Sequence, residues 1–229
     1  MGSPLSRSVR VNRLLLAVTF LLPALAVADV DPRFARLRDN AEPLGSLGTF
    51  LDSFIGECSG FFTRSTCSSD AEAFRKRAGG KPHYLILDEK QAAALLSAGP
   101  YQPGSGQYSI QVRPAFPGGG YTLTHGLPPQ TDVKGQPVLP LIHVPGTTAE
   151  GGNAQSFLRL FSEKQIRLQV VFTPLAPWSL PQRDGSKVHG VSARVDALLL
   201  THGRTGDTLG LWFPEDGLSA GKQPRPKGR

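Results

Sequence analysis

The chain has 229 residues, of which 39% are hydrophobic and 19% charged, and its formal net charge is +7. All of that excess comes from the basic residues of the first 28 and the last nine positions, so the body between them is neutral. A neutral body lacks the basic stripe with which nucleic-acid-binding domains contact phosphates, so nucleic acid is excluded as the expected partner.

Residues 1–28 have the pattern of a secretory signal peptide. Three arginines precede an apolar run over 14–25, and the small residues Ala26-Val27-Ala28 follow it. The run has about a dozen residues, whereas about 20 are needed to cross a bilayer, and no later segment is long enough. We therefore expect cleavage between Ala28 and Asp29 and no transmembrane segment in the mature chain. The residue directly after the cleavage site is not a cysteine, which favours a free periplasmic or secreted protein over a lipid-anchored one.

Residues 29–220 are expected to form a single domain, and residues 221–229 a disordered basic tail. The tail contains two prolines and no apolar side chain to bury, so nothing offsets the entropy lost on ordering it. Within the domain, glycines and prolines lie mostly between alternating apolar segments, which is typical of a turn-rich β protein.

Two helices are predicted in the first third of the domain. Apolar residues recur at steps of three and four over 43–56, which places them on one face of a helix. Ser69 and Glu72 have the spacing of a capping box, which predicts a second helix over about 70–78, ended by Gly79-Gly80.

Cys58 and Cys67 are the only cysteines, and they lie between the two predicted helices. In an oxidising compartment the first expectation is a disulfide that closes this loop. Redox or metal chemistry, or two unpaired thiols, remain as alternatives, although a redox pair usually has Cys-x-x-Cys spacing.

From Lys81 onward the apolar period changes from the helical value to two. This change predicts strands over 83–88, 108–112, 121–124 and 138–144, and helices over 89–97 and 153–164.

The clearest strands come last, each with apolar residues at alternate positions. The second and third of them are joined by a glycine-containing loop at 202–207 that suits a hairpin. We therefore predict an α+β fold, a mainly antiparallel sheet with the N-terminal helices packed on one face and a long C-terminal β-hairpin. Phe172 and Leu199 are expected on the same sheet face. The three alternating sets are Ile166, Leu168, Val170 and Phe172; Val191, Ala193, Val195, Ala197 and Leu199; and Leu209, Leu211 and Phe213.

No catalytic residue, cofactor site or metal site is predicted, because the histidines stand singly and form no ligand or nucleophile spacing. In an enzyme, His125, near the Gly118-Gly119-Gly120 loop, would be the first candidate for a general base. The glycine loop itself lacks the Gly-Lys-Ser/Thr of a phosphate-binding loop. The histidines are His83, His125, His143, His189 and His202.

Three stretches, 138–146, 157–174 and 201–206, resemble an uncharacterised domain-of-unknown-function family of exported proteins from myxobacteria and relatives. The resemblance covers nearly the whole mature chain, including the two cysteines. It implies a Gram-negative periplasmic or secreted setting, and it supplies no activity, cofactor or catalytic residue.

Two functions are consistent with this sequence. The first is a non-catalytic binding or structural module that presents its loops or an aromatic face to another protein or an envelope polymer. The alternative is a secreted hydrolase whose catalytic residues are dispersed in the sequence. A hydrolase should bring a histidine within about 3 Å of a serine, aspartate or glutamate in a cleft, and a binding module should not.

Overall fold

The structure is a computed structural model, and it describes residues 30–56, 64–114, 121–146, 154–182 and 185–215. This part of the chain contains five helices and nine strands. The helices are α1 (Pro32–Asp39), α2 (Leu47–Ile55), α3 (Arg64–Ala78), α4 (Glu89–Leu95) and α5 (Ala154–Ser162). The strands are β1 (Glu42–Leu44), β2 (His83–Leu87), β3 (Leu96–Gln102), β4 (Gln107–Val112), β5 (Tyr121–His125), β6 (Ile142–Pro145), β7 (Ile166–Pro181), β8 (Lys187–His202) and β9 (Thr208–Trp212).

Six of these strands form one mixed sheet in the order β1-β2-β7-β8-β5, with β9 also paired to β8. The β1–β2 and β5–β8 pairs are parallel, and the other pairs in this sheet are antiparallel. Strands β3, β4 and β6 form a smaller antiparallel sheet. The predicted α+β class is therefore confirmed. The hairpin predicted across 202–207 is the β8–β9 pair, whereas the long hairpin of the structure is formed by β7 and β8.

The main core lies between one face of the mixed sheet, the small sheet and helices α2 to α5. Helix α1, which was not predicted from the sequence, covers the opposite face of the mixed sheet. There Phe34 of α1 is fully buried in a second cluster with Leu199 and Phe213. Asp31 caps the start of α1 and Pro32 follows it, which are ordinary helix-start signals.

Phe172 and Leu199 lie on opposite faces of the sheet, so the expectation that they share a face was wrong. Phe172 belongs to the main core and Leu199 to the second cluster. The cause is a β-bulge: Val171 pairs with Ala197 and Phe172 with Val195, so Asp196 has no partner on β7. One extra residue reverses the alternation of β8 from that point onward.

Several predicted boundaries differ from the structure for local reasons. The helix expected over 43–56 begins only after Ser46, whose hydroxyl accepts from Thr49 N, because Leu44 belongs to strand β1. Helix α3 begins at Arg64, so Ser69 lies inside it and does not cap it. The helix expected over 89–97 ends at Leu95, where strand β3 begins.

The remaining strand predictions are confirmed with shifted ends. Strands β2, β4 and β5 match within one residue, whereas β6 begins at Ile142, four residues later than expected. Strands β7, β8 and β9 are antiparallel neighbours, as predicted. The apolar set of β7 that ends at Phe172 all faces the main core.

Some expectations fall outside the described residues. These are the signal peptide with its cleavage site at Ala28 and Asp29, the basic tail, the glycine run 118–120, and Cys58. The backbone of Cys67 lies in α3, but its side chain is outside the description too, so the disulfide stays a prediction. No helix within the described ranges is long and apolar enough to cross a bilayer.

Candidate functional site

The candidate site is a stretch of β8. It lies between the places where β5 and β9 pair with the same edge of that strand. Strand β5 pairs with β8 as far as Ala193, and β9 pairs with it from Leu198 onward. Residues 194–197 have no strand partner on that edge among the described strands. We call this stretch the β8 gap. His125, the last residue of β5, lies beside it.

The His125 ring is held by a backbone amide and not by a catalytic side chain. Val195 N–H in the β8 gap donates to His125 Nδ1 over 3.2 Å. The ring is also perpendicular to the Trp212 indole, with 5.8 Å between centroids. Because Nδ1 accepts, the neutral ring must carry its proton on Nε2. Nε2 has no hydrogen-bond partner within the described part of the chain.

The surroundings of His125 favour its neutral form. Partial withdrawal of the ring from water lowers its pKa below the ordinary 6.5, and the nearby carboxylate of Asp196 opposes this shift. The residue as a whole is nevertheless exposed, so the ring meets both the protein and the solvent. The site therefore presents an uncharged donor at neutral pH.

Asp196, the bulge residue, is the centre of a hydrogen-bonded cluster on β7 and β8. Its Oδ1 accepts from Arg194 Nε over 2.7 Å, and its Oδ2 accepts from the Thr173 hydroxyl over 2.9 Å. Arg194 Nη2 also donates to Thr173 Oγ1 over 3.2 Å. Both carboxylate oxygens thus have protein donors, while 64% of the Arg194 side chain remains exposed to solvent.

Two of the other histidines have structural roles. His83 is buried with its ring 5.0 Å from that of Phe50, and its Nε2 lies 3.1 Å from the Ala78 carbonyl oxygen. His202 Nδ1 accepts from the backbone N–H groups of Arg204 and Thr205, which closes the loop between β8 and β9.

The remaining two histidines are His143 and His189. His143 is exposed on β6 of the small sheet, and His189 lies on β8, paired with Tyr121 and Ser179. The five histidines are therefore spread over the fold. No three His, Cys, Asp or Glu side chains of the described residues come together as metal ligands.

A second polar contact joins α4 to β7 and is structural. Arg167 donates to Glu89 Oε1 from Nε over 2.9 Å and from Nη2 over 2.8 Å. The hydrogen bond from Arg167 lowers the pKa of Glu89 below its ordinary value. Gly203 lies directly against this carboxylate, since a Cβ built on it would be 2.4 Å from Glu89 Oε1.

The sequence indicated His125 but not its surroundings. Arg194 and Asp196 alternate with apolar residues, a pattern that predicts only an ordinary solvated strand face. The bulge that turns Asp196 into the centre of a cluster has no local signal in the sequence. Trp212 is half-buried and packs with the main core beside His125.

The chain was compared with protein families, curated proteins and solved structures. One family model, described as "Family of unknown function (DUF6066)", matches residues 11–225. No curated protein and no solved structure matches the chain.

Proposed function

The chain belongs to this family of unknown function, and we propose that it is an exported, non-catalytic binding module whose contact surface is the β8 gap. Its ligand is an envelope polymer or another protein that offers oxygen acceptors. The observation that carries the proposal is the bond from Val195 N–H to His125 Nδ1.

That bond supports binding over hydrolysis. A general base needs one ring nitrogen for the proton it removes and a hydrogen-bond partner on the other nitrogen that stabilises the charged ring. Val195 N–H is a donor, so it opposes protonation of Nδ1 and gives no such support. Asp196, the nearest acidic residue on β8, has its oxygens engaged by Arg194 and Thr173.

The exposed groups of the surface fit a ligand rich in oxygen acceptors. His125 Nε2 and the exposed part of the Arg194 guanidinium are both donors. Trp212 adds a half-buried aromatic surface, and Leu127, two residues after His125, is 86% exposed. Aromatic anchors beside a few fixed polar groups are typical of recognition surfaces.

Co-sedimentation of the mature chain with purified peptidoglycan tests the polymer form of this proposal. His125→Asn keeps an oxygen that can accept from Val195 N–H but removes the outward Nε2 donor. We expect an unchanged melting temperature and a loss of about fivefold in retention, the worth of about one hydrogen bond. His143→Asn, an exposed histidine of the small sheet, is the matched control and should sediment like the native chain.

The other outcomes separate the alternatives. If the chain does not sediment with the polymer, a photo-crosslinker at position 127 tests a protein partner, and its cross-links should fall about fivefold in His125→Asn. Equal retention and equal cross-linking of both variants would contradict a binding role for the β8 gap. Hydrolysis of ester, peptide or glycoside substrates that His125→Asn abolishes without unfolding would establish the hydrolase instead.

Export is tested separately on protein recovered from the envelope or the medium. We expect an intact mass that begins at Asp29. A recovered chain that retains residues 1–28 would contradict the export proposal without affecting the binding proposal.

A further inference from the structure

A cavity lies beside the C-terminal end of α5, on another part of the fold from the β8 gap. Its volume is about 250 Å³, and it opens to solvent. Drug-sized ligands usually occupy about 300–1,000 Å³, so this cavity suits a smaller molecule. The residues that line it come from α4, α5 and the starts of β3 and β7, and they are Ala93, Leu96, Phe161, Ser162, Lys164 and Ile166.

Lys164 has the backbone conformation of a glycine. Its φ is +55°, and it is the one non-glycine residue with a positive φ among those described. Lys164 N–H donates to the Phe161 carbonyl over 3.2 Å, and Gln165 N–H donates to the Leu160 carbonyl over 2.9 Å. These two bonds form a Schellman motif, in which the position of Lys164 is usually glycine. The backbone of Lys164 is therefore strained, and a lysine at this position lowers the free energy of unfolding compared with a glycine.

The lining combines apolar surface with a single cation. Leu96 and Ile166 are buried, Phe161 is half-buried, and none of the described residues that line the cavity is acidic. The side chain of Lys164 is exposed and forms no ion pair with another described residue. The charge that complements such a cavity is an anion attached to a short apolar tail.

We propose that this cavity binds a medium-chain fatty acid, with the acyl chain against Leu96, Phe161 and Ile166 and the carboxylate at Lys164. The cavity volume of about 250 Å³ is below the range usual for drug-sized ligands, which suits a short acyl chain such as that of octanoate. Because Lys164 is exposed, its ion pair with the carboxylate is partly solvated, and it sets the preference for an anion.

Calorimetric titration of the mature chain with octanoate tests the proposal, and octyltrimethylammonium and a peptide ending in leucine serve as comparison ligands. Lys164→Gly is the decisive variant, because it removes the ammonium and relieves the strained φ. We expect its melting temperature to rise by about 2–4 °C while its octanoate affinity falls about fivefold. Lys90→Ala removes the same charge from an exposed position of α4 outside the cavity, and should bind octanoate like the native chain.

A variant that fills the cavity gives an independent readout. Ala93→Leu places extra carbon atoms in the cavity, and it should abolish octanoate binding without unfolding the protein. Three results would overturn the proposal: no octanoate binding at millimolar concentration, equal binding by Lys164→Gly, or equal binding of the octyl cation. Tighter binding of the leucine-terminated peptide than of octanoate would assign the cavity to peptide carboxyl termini instead.

Discussion

Truncation of Phe172 measures how much of the fold depends on the main core. The side chain is completely buried on β7, with its ring 5.7 Å from Phe50 and 5.9 Å from His83. Phe172→Ala removes these contacts and leaves a cavity between α2 and the sheet, so it should cost about 3–5 kcal/mol in free energy of unfolding. For a domain of this size the melting temperature should fall by about 6–20 °C.

Urea denaturation measures the free energy, and Leu175→Ala is the matched control. Leu175 lies three residues further along the same strand, is 53% exposed, and has no partner on β8. Its truncation should change stability by no more than about 0.5 kcal/mol. If Phe172→Ala cost no more than Leu175→Ala, the burial of Phe172 against α2 would be wrong.

A double-mutant cycle tests the bulge at Asp196 with the milder variants Phe172→Leu and Leu199→Val. Because the two side chains lie on opposite faces of the sheet, their effects should add within about 0.5 kcal/mol. A coupling energy well above that value would place both side chains on one face, and the reversal of alternation at Asp196 would be refuted.

Three further predictions concern a disulfide, a glycine and a histidine. Peptide mapping without reductant should recover Cys58 and Cys67 joined, and their bond should contribute about 3 kcal/mol; recovery of two free thiols would exclude the bond. Gly203→Ala should cost about 0.5–1 kcal/mol, because its Cβ would push the end of the Glu89 side chain away from Arg167, and an unchanged urea midpoint would contradict that contact. In an NMR titration His125 should have a pKa below 6.5, so the stability it contributes is present above pH 6.5 and is lost as pH falls toward the lower folded-state pKa. A His125 pKa above 6.5 would contradict the withdrawal of its ring from water.

Local pattern accounts for much of the fold. The alternating residues of β7 face one core because a strand repeats every two residues, and that period is independent of what packs against it. The end of α3 also follows from a local property. Gly80 adopts a positive φ, which is favourable for glycine and unfavourable for other residues. Ser46, by contrast, marks the true start of α2, but the apolar spacing from Leu44 concealed it.

The sequence by itself determined the α+β class, the positions of most strands and the choice of His125 as the first candidate for a functional residue. The tertiary structure decided which face each part of β8 presents, because the bulge at Asp196 follows from pairing with β7 and not from the residues of β8 alone. It also decided the site. Val195 and Trp212 are 70 and 87 positions beyond His125 in the chain. The parallel pairing of β5 with β8 brings Val195 to its ring, and the pairing of β9 with the same edge of β8 brings Trp212 there. Contacts over such separations depend on how strands are ordered in the sheet, and hydrophobic period carries no information about that order.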